Sequence, residues 1–380
     1  MKKIIPLVIA IGITAPVANA LQSKAAPKEE EEKPTTEEVV EIPVNGSRSD
    51  IVIKVEGEVT FSISRSPSIS KSQPTLSNNE VTLNEGVFGL RANSTTQEML
   101  DVLGIPTSTY KVNDSVCIYS YGRSLWVVTE RDVVKKITTE NLWVSPTLTN
   151  YIAFDDRFNS KWLLEDKVRY SDEKSVLEHF EKRKLIEGDK YRIMSEEGIN
   201  LDIVLALKIE DGEKRWKVSG FEYGLTDTTY VNPLKTSDNN TESFTDVIAY
   251  IENKYANDEA ILLSKVTELG QQPVFEAYAD NGDIIQVFDN HLMLRFGFGE
   301  LNQLSVHEGL FNQLPQGTNW KFGKHYAGQP SDEIMALYGD EVMGYDDYWQ
   351  VFLEDTKYGL YFDENEKGLM TLVELEMAFF

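Results

Sequence analysis

The sequence predicts an α+β fold made of tandem small modules, each with one or two helices packed on an antiparallel β-meander. Two observations indicate this fold class. A helical pattern at residues 95–104 recurs at residues 330–339 without a gap, at a constant offset of 235 (339 − 104). Each copy is followed by short strand-like runs in which apolar and polar residues alternate. Because internal repetition sets the architecture, we expect a repeated packing unit rather than a single catalytic centre.

Residues 84–140 form the first predicted module. Thr95 and Glu98 have the spacing of a capping box at the start of a helix, and Gly104 is placed to end that helix. Pro106 prevents the helix from continuing. Strands are then expected at 107–112, 115–121, 124–129 and 132–137.

Three further modules follow in the prediction. Residues 318–380 repeat the first module, with a helix over 330–338. Residues 243–308 form another copy, with two helical segments before the strands, and residues 160–224 form an α+β module that does not align residue by residue with the others. In the two aligned copies, strands are expected at 274–278, 283–288, 291–296, 301–306, 348–353, 358–362 and 369–374.

The N-terminal residues predict export. Residues 1–20 have the pattern of a signal peptide, with two lysines, an apolar stretch and a small-residue cleavage site at Ala18-Asn19-Ala20. Residues 21–49 are highly charged and contain no aromatic residue, so they are predicted to be a disordered acidic linker. Residues 50–83 are predicted to hold a β-hairpin and a flexible segment. We expect a periplasmic or secreted product with no integral membrane segment after signal cleavage.

Composition narrows the classes of partner. Acidic residues outnumber basic ones by 62 to 37, which gives a net charge of −25 and disfavours nucleic acid as a partner. Hydrophobic residues make up 41% of the chain, enough to bury a sizeable core. Cys117 is the only cysteine, so an intramolecular disulfide is excluded, and its apolar neighbours predict a buried structural thiol.

The helix with Leu-Gly-x-Pro and the aromatic meander that follows it resemble the small outer-membrane lipoprotein A (SmpA/OmlA) family and the related β-lactamase-inhibitor-protein fold. The residues that carry the resemblance are Glu98, Leu103, Gly104, Pro106, Tyr119 and Trp126, and in the last copy Glu333, Leu337, Gly339 and Tyr361. The chain departs from the family because no lipidation cysteine follows the signal and Pro106 has no counterpart in the last copy. The resemblance implies helix-on-sheet modules that bind proteins, and it transfers no catalytic residue.

One segment resembles a calcium loop. Asp363, Asn365 and Glu374 occupy positions 1, 3 and 12 of the pattern. Lys367 occupies position 5, where an oxygen ligand is expected, so we interpret residues 365–368 as a hairpin turn instead. The sequence therefore predicts no metal site, no cofactor and no catalytic residue.

Aromatic residues on the predicted strands are the candidates for a contact surface. Tyr119, Tyr121 and Trp349 are the named candidates, whereas Trp126 and Tyr361, which share a repeat position, are interpreted as core. Tyr119 and Tyr121 must point to the same side of their strand, because side chains alternate across it.

The predicted function is a non-catalytic exported protein that binds a protein or a cell-envelope component through its β-meander surfaces. The absence of a recognisable catalytic motif and the modular repetition favour it. A hydrolase of an envelope polymer is the first alternative, on the basis of size, export and abundant carboxylates. A secreted enzyme inhibitor is the second, on the basis of the fold resemblance alone.

Overall fold

The structure is a computed structural model. It describes residues 38–44, 48–54, 60–65, 73–158, 162–164, 168–169, 184–185, 190–194, 198–210, 213–225, 245–257, 259–307, 309–312, 320–353 and 356–379. The predicted signal peptide and residues 170–183 of the module predicted at 160–224 lie outside the described residues.

Five helices and a short 3-10 helix are present in this described part. The helices are α1 Thr96–Leu103, α2 Pro146–Tyr151, α3 Thr245–Ala256, α4 Leu263–Glu268 and α5 Ser331–Tyr338, and the 3-10 helix is Gly339–Glu341. The capping box is confirmed at α1, where the Thr95 hydroxyl accepts the Glu98 N–H and the Glu98 carboxylate accepts the Thr95 N–H.

Most strands belong to four groups. Group I is β6 Ser108–Lys111, β7 Val116–Tyr121, β8 Leu125–Glu130 and β9 Val133–Thr138. Group II is β12 Lys184–Leu185, β13 Lys190–Met194, β14 Ile199–Glu210 and β15 Glu213–Leu225. Group III is β16 Phe275–Tyr278, β17 Ile284–Phe288, β18 Leu292–Gly297 and β19 Glu300–Val306. Group IV is β22 Val342–Tyr345, β23 Tyr348–Phe352, β24 Thr356–Glu364 and β25 Met370–Phe379.

The four groups form one antiparallel sheet of sixteen strands. Group II lies at one edge, followed by groups I, III and IV. Groups II and I meet through their last strands, because β15 pairs with β9. Groups I and III meet through their first strands, β6 and β16, and groups III and IV meet through their last strands, β19 and β25. The sheet is therefore continuous across the boundaries of all four groups.

The predicted fold class, an α+β array of helix-on-meander modules, is wrong. The described chain is mostly antiparallel sheet, with 48% strand against 18% helix, so sheet and not helix dominates the packing. The physical reason lies at the outer strands of each group. Their unpaired N–H and C=O groups favour pairing with another strand, and here each group uses them to join its neighbour.

The remaining strands form smaller sheets. β1 Glu38–Val44, β2 Arg48–Lys54 and β3 Thr60–Arg65 make a three-stranded antiparallel sheet. Strand β1 lies within residues 21–49, where composition predicts a disordered linker. A second sheet contains β4 Glu80–Thr82, β5 Gly86–Val87, β10 Leu163–Leu164 and β11 Val168–Arg169, and β20 Lys321–Phe322 forms a hairpin with β21 His325–Tyr326.

The large sheet is covered differently on its two sides. On the side that we call the helix side, α1 packs on groups I and II, while α3, α4 and α5 pack on groups III and IV. On the other side, residues 143–152, which we call the cap segment, contact the middle of the sheet. Trp143 packs against Trp126 there, with ring centroids 6.1 Å apart. Leu310 and Phe311 complete this core. We call this second side the cap side.

One predicted helix is shorter than expected. The sequence pattern predicts a helix over residues 258–269, whereas α4 begins at Leu263. The preceding residues bond to the β18–β19 hairpin instead: the Leu301 N–H donates to the Ile261 carbonyl and the Leu263 N–H donates to the Gly299 carbonyl. Sheet hydrogen bonds therefore replace the first helical turns.

Candidate functional site

A set of polar and aromatic side chains lies on the cap side of groups III and IV, beyond the cap segment. Strand β25 shows how it arises. Leu375 and Met377 enter the helix-side core, so Glu374 and Glu376 between them point to the cap side. The same alternation on neighbouring strands adds four more residues. We call this set the polar face, and its members are Arg295, Gln303, Tyr348, Tyr361, Glu374 and Glu376.

Two tyrosines of the polar face pack against each other across adjacent strands, with their rings tilted by 36°. Tyr361 of β24 pairs with Tyr348 of β23, and their ring centroids are 4.6 Å apart. The Gln350 amide donates to the Tyr348 hydroxyl at 2.6 Å. Both rings are half-buried, so each retains surface that a ligand can contact. This pair provides a rigid aromatic platform, a type of surface common in protein interfaces.

A carboxylate and a histidine lie next to the two tyrosines on the polar face. Tyr361 lies opposite Glu374 in β25, and the Glu374 Oε2 atom is 3.0 Å from His307 Nδ1. His307 is 5% exposed and follows β19, and its carbonyl oxygen lies 2.9 Å from His291 Nδ1. The side chain of His307 therefore positions the Glu374 carboxylate beside the tyrosine pair.

Glu376 lies in a different electrostatic environment. It is half-buried, and burial together with the neighbouring charge of Glu374 raises the pKa of its carboxyl. His307, Lys357 and Arg295 oppose this shift through their positive charges. The face therefore combines two adjacent carboxylates, of which one holds its proton more tightly than an exposed glutamate does.

The cap segment is joined to the polar face by hydrogen bonds. The Gln303 amide donates to the Tyr151 hydroxyl at 2.9 Å, at the end of α2. Arg295 pairs with Gln303 across β18 and β19, and its Nε donates to the buried Asp283 carboxylate at 2.7 Å. These contacts fix the boundary between the covered middle of the sheet and the uncovered polar face.

A cavity of about 640 Å³ adjoins this boundary. Arg295, Gln303 and Asp283 line it on one side and Tyr255 and Phe379 on the other. Phe298, at the tip of the β18–β19 hairpin, also lines it and is 72% exposed. The volume of the cavity falls within the range of roughly 300–1,000 Å³ that is typical of small-molecule sites.

The three aromatic residues predicted as contact candidates lie on the helix side, away from the polar face. Tyr121 is fully buried, and its hydroxyl donates to the Gly104 carbonyl at 3.0 Å. Tyr119 is half-buried against the same core, and burial raises its pKa to about 12. Trp349 packs on Phe362 with ring centroids 4.6 Å apart. Tyr121 in particular serves packing and not contact.

The repeat position that Tyr361 shares with Trp126 predicts a core residue at 361. Both side chains point to the cap side, but only Trp126 lies beneath Trp143 and is fully buried. Tyr361 lies outside the cap segment's core and remains half-buried. The signal that could have found the polar face is the Glu-Leu-Glu-Met alternation at residues 374–377, next to the tyrosine-bearing strands.

The residues of the calcium-like pattern have separate structural roles. Asn365 closes the β24–β25 hairpin, because its side-chain oxygen accepts the N–H groups of Lys367 and Leu369. Asp363 pairs with Thr371 near that turn, whereas Glu374 lies further along β25 beside His307. Within the described ranges, no group of three or more His, Cys, Asp or Glu side chains is arranged to hold a metal ion.

Two further findings concern the whole of the described chain. Among its helices, none is both long enough and apolar enough to cross a membrane. No family model matches the sequence, and comparisons with curated proteins and with solved structures find no match.

Proposed function

We propose that this chain is a non-catalytic exported protein that binds a protein or a cell-envelope component through the polar face. The observation that carries the proposal is the contrast between Trp126 and Tyr361. The same side of the sheet is sealed by apolar residues in the middle and carries uncovered tyrosines and carboxylates in group IV. Half-buried aromatic rings beside hydrogen-bonding groups are typical of protein-binding surfaces.

The chemistry of the polar face favours a cationic contact from the partner. Glu374 and Glu376 supply carboxylates, and the packed rings of Tyr348 and Tyr361 lie beside them. A lysine or arginine side chain can contact an aromatic ring and pair with a carboxylate at the same time. The net charge of −25 adds long-range attraction for a basic partner.

A binding role fits the two carboxylates better than a hydrolytic role. Glu374 and Glu376 lie on one strand, two residues apart, and both point to the cap side. The glycosidase arrangement requires two carboxyl groups that flank the scissile bond from opposite sides. Export, the other part of the proposal, rests on the signal-peptide pattern of residues 1–20.

The experiment compares capture of partners by three forms of the full chain. Wild type, the Tyr348→Ala/Tyr361→Ala double variant and Met335→Ala would be immobilised and incubated with envelope extract, followed by mass spectrometry. Met335 is an exposed residue of α5 and serves as a matched control on the helix side. We expect proteins or glycans retained by wild type and Met335→Ala to be lost with the double variant. Equal retention by all three forms would refute the polar face as the binding surface.

The export part has a separate test. N-terminal sequencing of the protein recovered from expressing cells should find a chain that begins at Leu21. An intact N-terminus on protein found inside the cell would contradict export without affecting the polar face.

A further inference from the structure

A second cavity lies on the helix side of group IV, across the sheet from the polar face. It has a volume of about 340 Å³ and lies between α3, the β20–β21 hairpin, the end of α5 and strand β24. Its walls are dominated by aromatic rings: Tyr255, Phe322, His325, Tyr338 and Tyr358. We propose that this cavity binds a small organic cation of the quaternary-ammonium class.

The ring system of this cavity is held together by side-chain contacts. The His325 ring stacks on Tyr338, with centroids 5.7 Å apart, and lies 5.8 Å from Tyr358. The Tyr338 and Tyr358 centroids are 6.3 Å apart. Three of the rings therefore form one connected aromatic wall. Aromatic walls attract cations through the negative faces of their rings, and quaternary ammonium groups are recognised in this way.

His325 does not add positive charge to that wall. It is 2% exposed, its Nδ1 lies 3.1 Å from the Gln329 side-chain oxygen, and its Nε2 lies 2.8 Å from the Tyr338 hydroxyl. The amide oxygen accepts only, so Nδ1 donates to it, and in the neutral ring Nε2 then accepts from the tyrosine hydroxyl. Burial also lowers the pKa of His325. The neutral ring leaves the cavity free of a buried cation.

Glu252 supplies the negative charge. It lies on α3 in the cavity lining, and one of its carboxylate oxygens accepts the Gly323 N–H at 2.7 Å. No lysine or arginine in the described ranges forms an ion pair with it. Lys324, which also lines the cavity, is exposed at the hairpin tip. A carboxylate without a Lys or Arg partner beside several aromatic rings is suited to a small organic cation, whose charge the carboxylate balances and whose methyl groups the rings contact.

The test uses choline as the probe and 3,3-dimethyl-1-butanol as its neutral control, because the two have nearly the same shape and differ in charge. Isothermal titration calorimetry with the full chain should show choline binding at least about tenfold tighter than the alcohol. Equal binding of both molecules, or no binding of choline, would overturn the proposal.

Two variants assign the binding to this cavity. Glu252→Gln keeps an oxygen that can accept the Gly323 N–H but removes the charge, so it should weaken choline binding while leaving the melting temperature unchanged. Met335→Ala, which changes an exposed residue of α5 outside the cavity lining, is the matched control and should retain binding. Choline affinity unaffected by Glu252→Gln would contradict the assignment.

The double variant of the polar face keeps the two proposals distinguishable. Tyr348→Ala/Tyr361→Ala should bind choline as wild type does, since both residues lie on the cap side. Loss of choline binding in this variant would place the cation at the polar face and refute the cavity as its site.

Discussion

The Tyr121 hydroxyl donates a 3.0 Å hydrogen bond to the carbonyl oxygen of Gly104, the residue that ends α1. Both residues are buried, and Tyr121 lies at the end of strand β7. The bond therefore joins the end of the helix to the sheet beneath it. A Cβ at residue 104 would lie 2.0 Å from the Gln73 side-chain oxygen, and φ there is +85°, so glycine is required at this close approach.

Replacing Tyr121 with phenylalanine should lower the free energy of unfolding by about 1–2 kcal/mol, because a buried carbonyl loses its donor. Urea denaturation measures the change. Tyr326→Phe is the matched control, since its exposed hydroxyl donates to Glu333 and its loss should cost less than about 0.5 kcal/mol. Equal losses in the two variants would contradict a structural role for the Tyr121 hydroxyl.

Replacing Thr95 with alanine should destabilise the protein by about 1 kcal/mol, because the Glu98 N–H loses its cap. The same change alters the dependence on pH. The Thr95 N–H and the Thr95 hydroxyl both donate to the Glu98 carboxylate and lower the pKa of Glu98, and alanine removes only the hydroxyl. The stabilisation from this contact is present above the pKa of the unfolded chain and is lost as the pH falls through the lower folded value. Thermal melts from neutral to acidic pH should show a smaller acid-induced loss of stability for Thr95→Ala than for wild type, whereas Thr95→Ser, which keeps the hydroxyl, should match wild type. A Thr95→Ala curve parallel to the wild-type curve would contradict this role of the hydroxyl.

Replacing Glu376 with glutamine should stabilise the protein more at neutral pH than in acid. The pKa of Glu376 is raised above its ordinary value of 4.5, so the folded state holds the proton to higher pH than the unfolded chain does. The free energy of unfolding therefore falls as the pH rises from the pKa of Glu376 in the unfolded chain through its higher pKa in the folded protein. Glutamine does not ionise, so the variant does not show this loss. Denaturation at several pH values measures this difference. Glu364→Gln, at the exposed end of β24, is the matched substitution at an exposed position. A Glu376→Gln effect that is the same at every pH would contradict the raised pKa of Glu376.

Cys117 should react slowly with iodoacetamide in the folded protein. Burial raises the pKa of its thiol, so less of the reactive thiolate is present at neutral pH than for a free cysteine. The structure places the side chain in a half-buried position rather than a fully buried one. Unfolding in urea should restore the rate of a free cysteine, and mass spectrometry follows the single site. An equal rate in both states would contradict the protected environment.

Local elements were predictable from the sequence because their signals are local. The Thr95–Glu98 spacing predicted the start of α1, and turn residues predicted the strands of groups I and III to within one residue at each end. In group IV they predicted β23, β24 and the start of β25, but not β22. The pairing between groups was not predictable. Strands β6 and β16 are joined by main-chain hydrogen bonds, which are common to every residue type and leave no pattern in the side chains.

A constant offset between two copies implies that paired residues point to the same side of the sheet. The repeat meets this expectation at some positions and not at others. The offset of 235 pairs Leu125 with Leu360, and both side chains enter the helix-side core. It also pairs Val116 with Val351, yet Val116 points to the cap side and Val351 to the helix side. A shift of one residue reverses the side of every side chain in a strand, so the gapless alignment fails between β7 and β23. The contact candidates Tyr119, Tyr121 and Trp349 lie on the helix side, and alternation alone identifies the two sides of a strand but not which one is covered.

Strand β6, the first strand of group I, pairs with β16, the first strand of group III, and this pairing has a consequence for synthesis on the ribosome. Strand β16 begins 167 residues after β6 (275 − 108). At roughly 5–20 residues per second, the edge of β6 waits about 8–33 s for its partner. During this interval the growing chain exposes a strand edge with an adjoining apolar surface, which is a template for aggregation. Nascent chains that end between groups I and III should therefore need protection by a chaperone more than either shorter or complete chains.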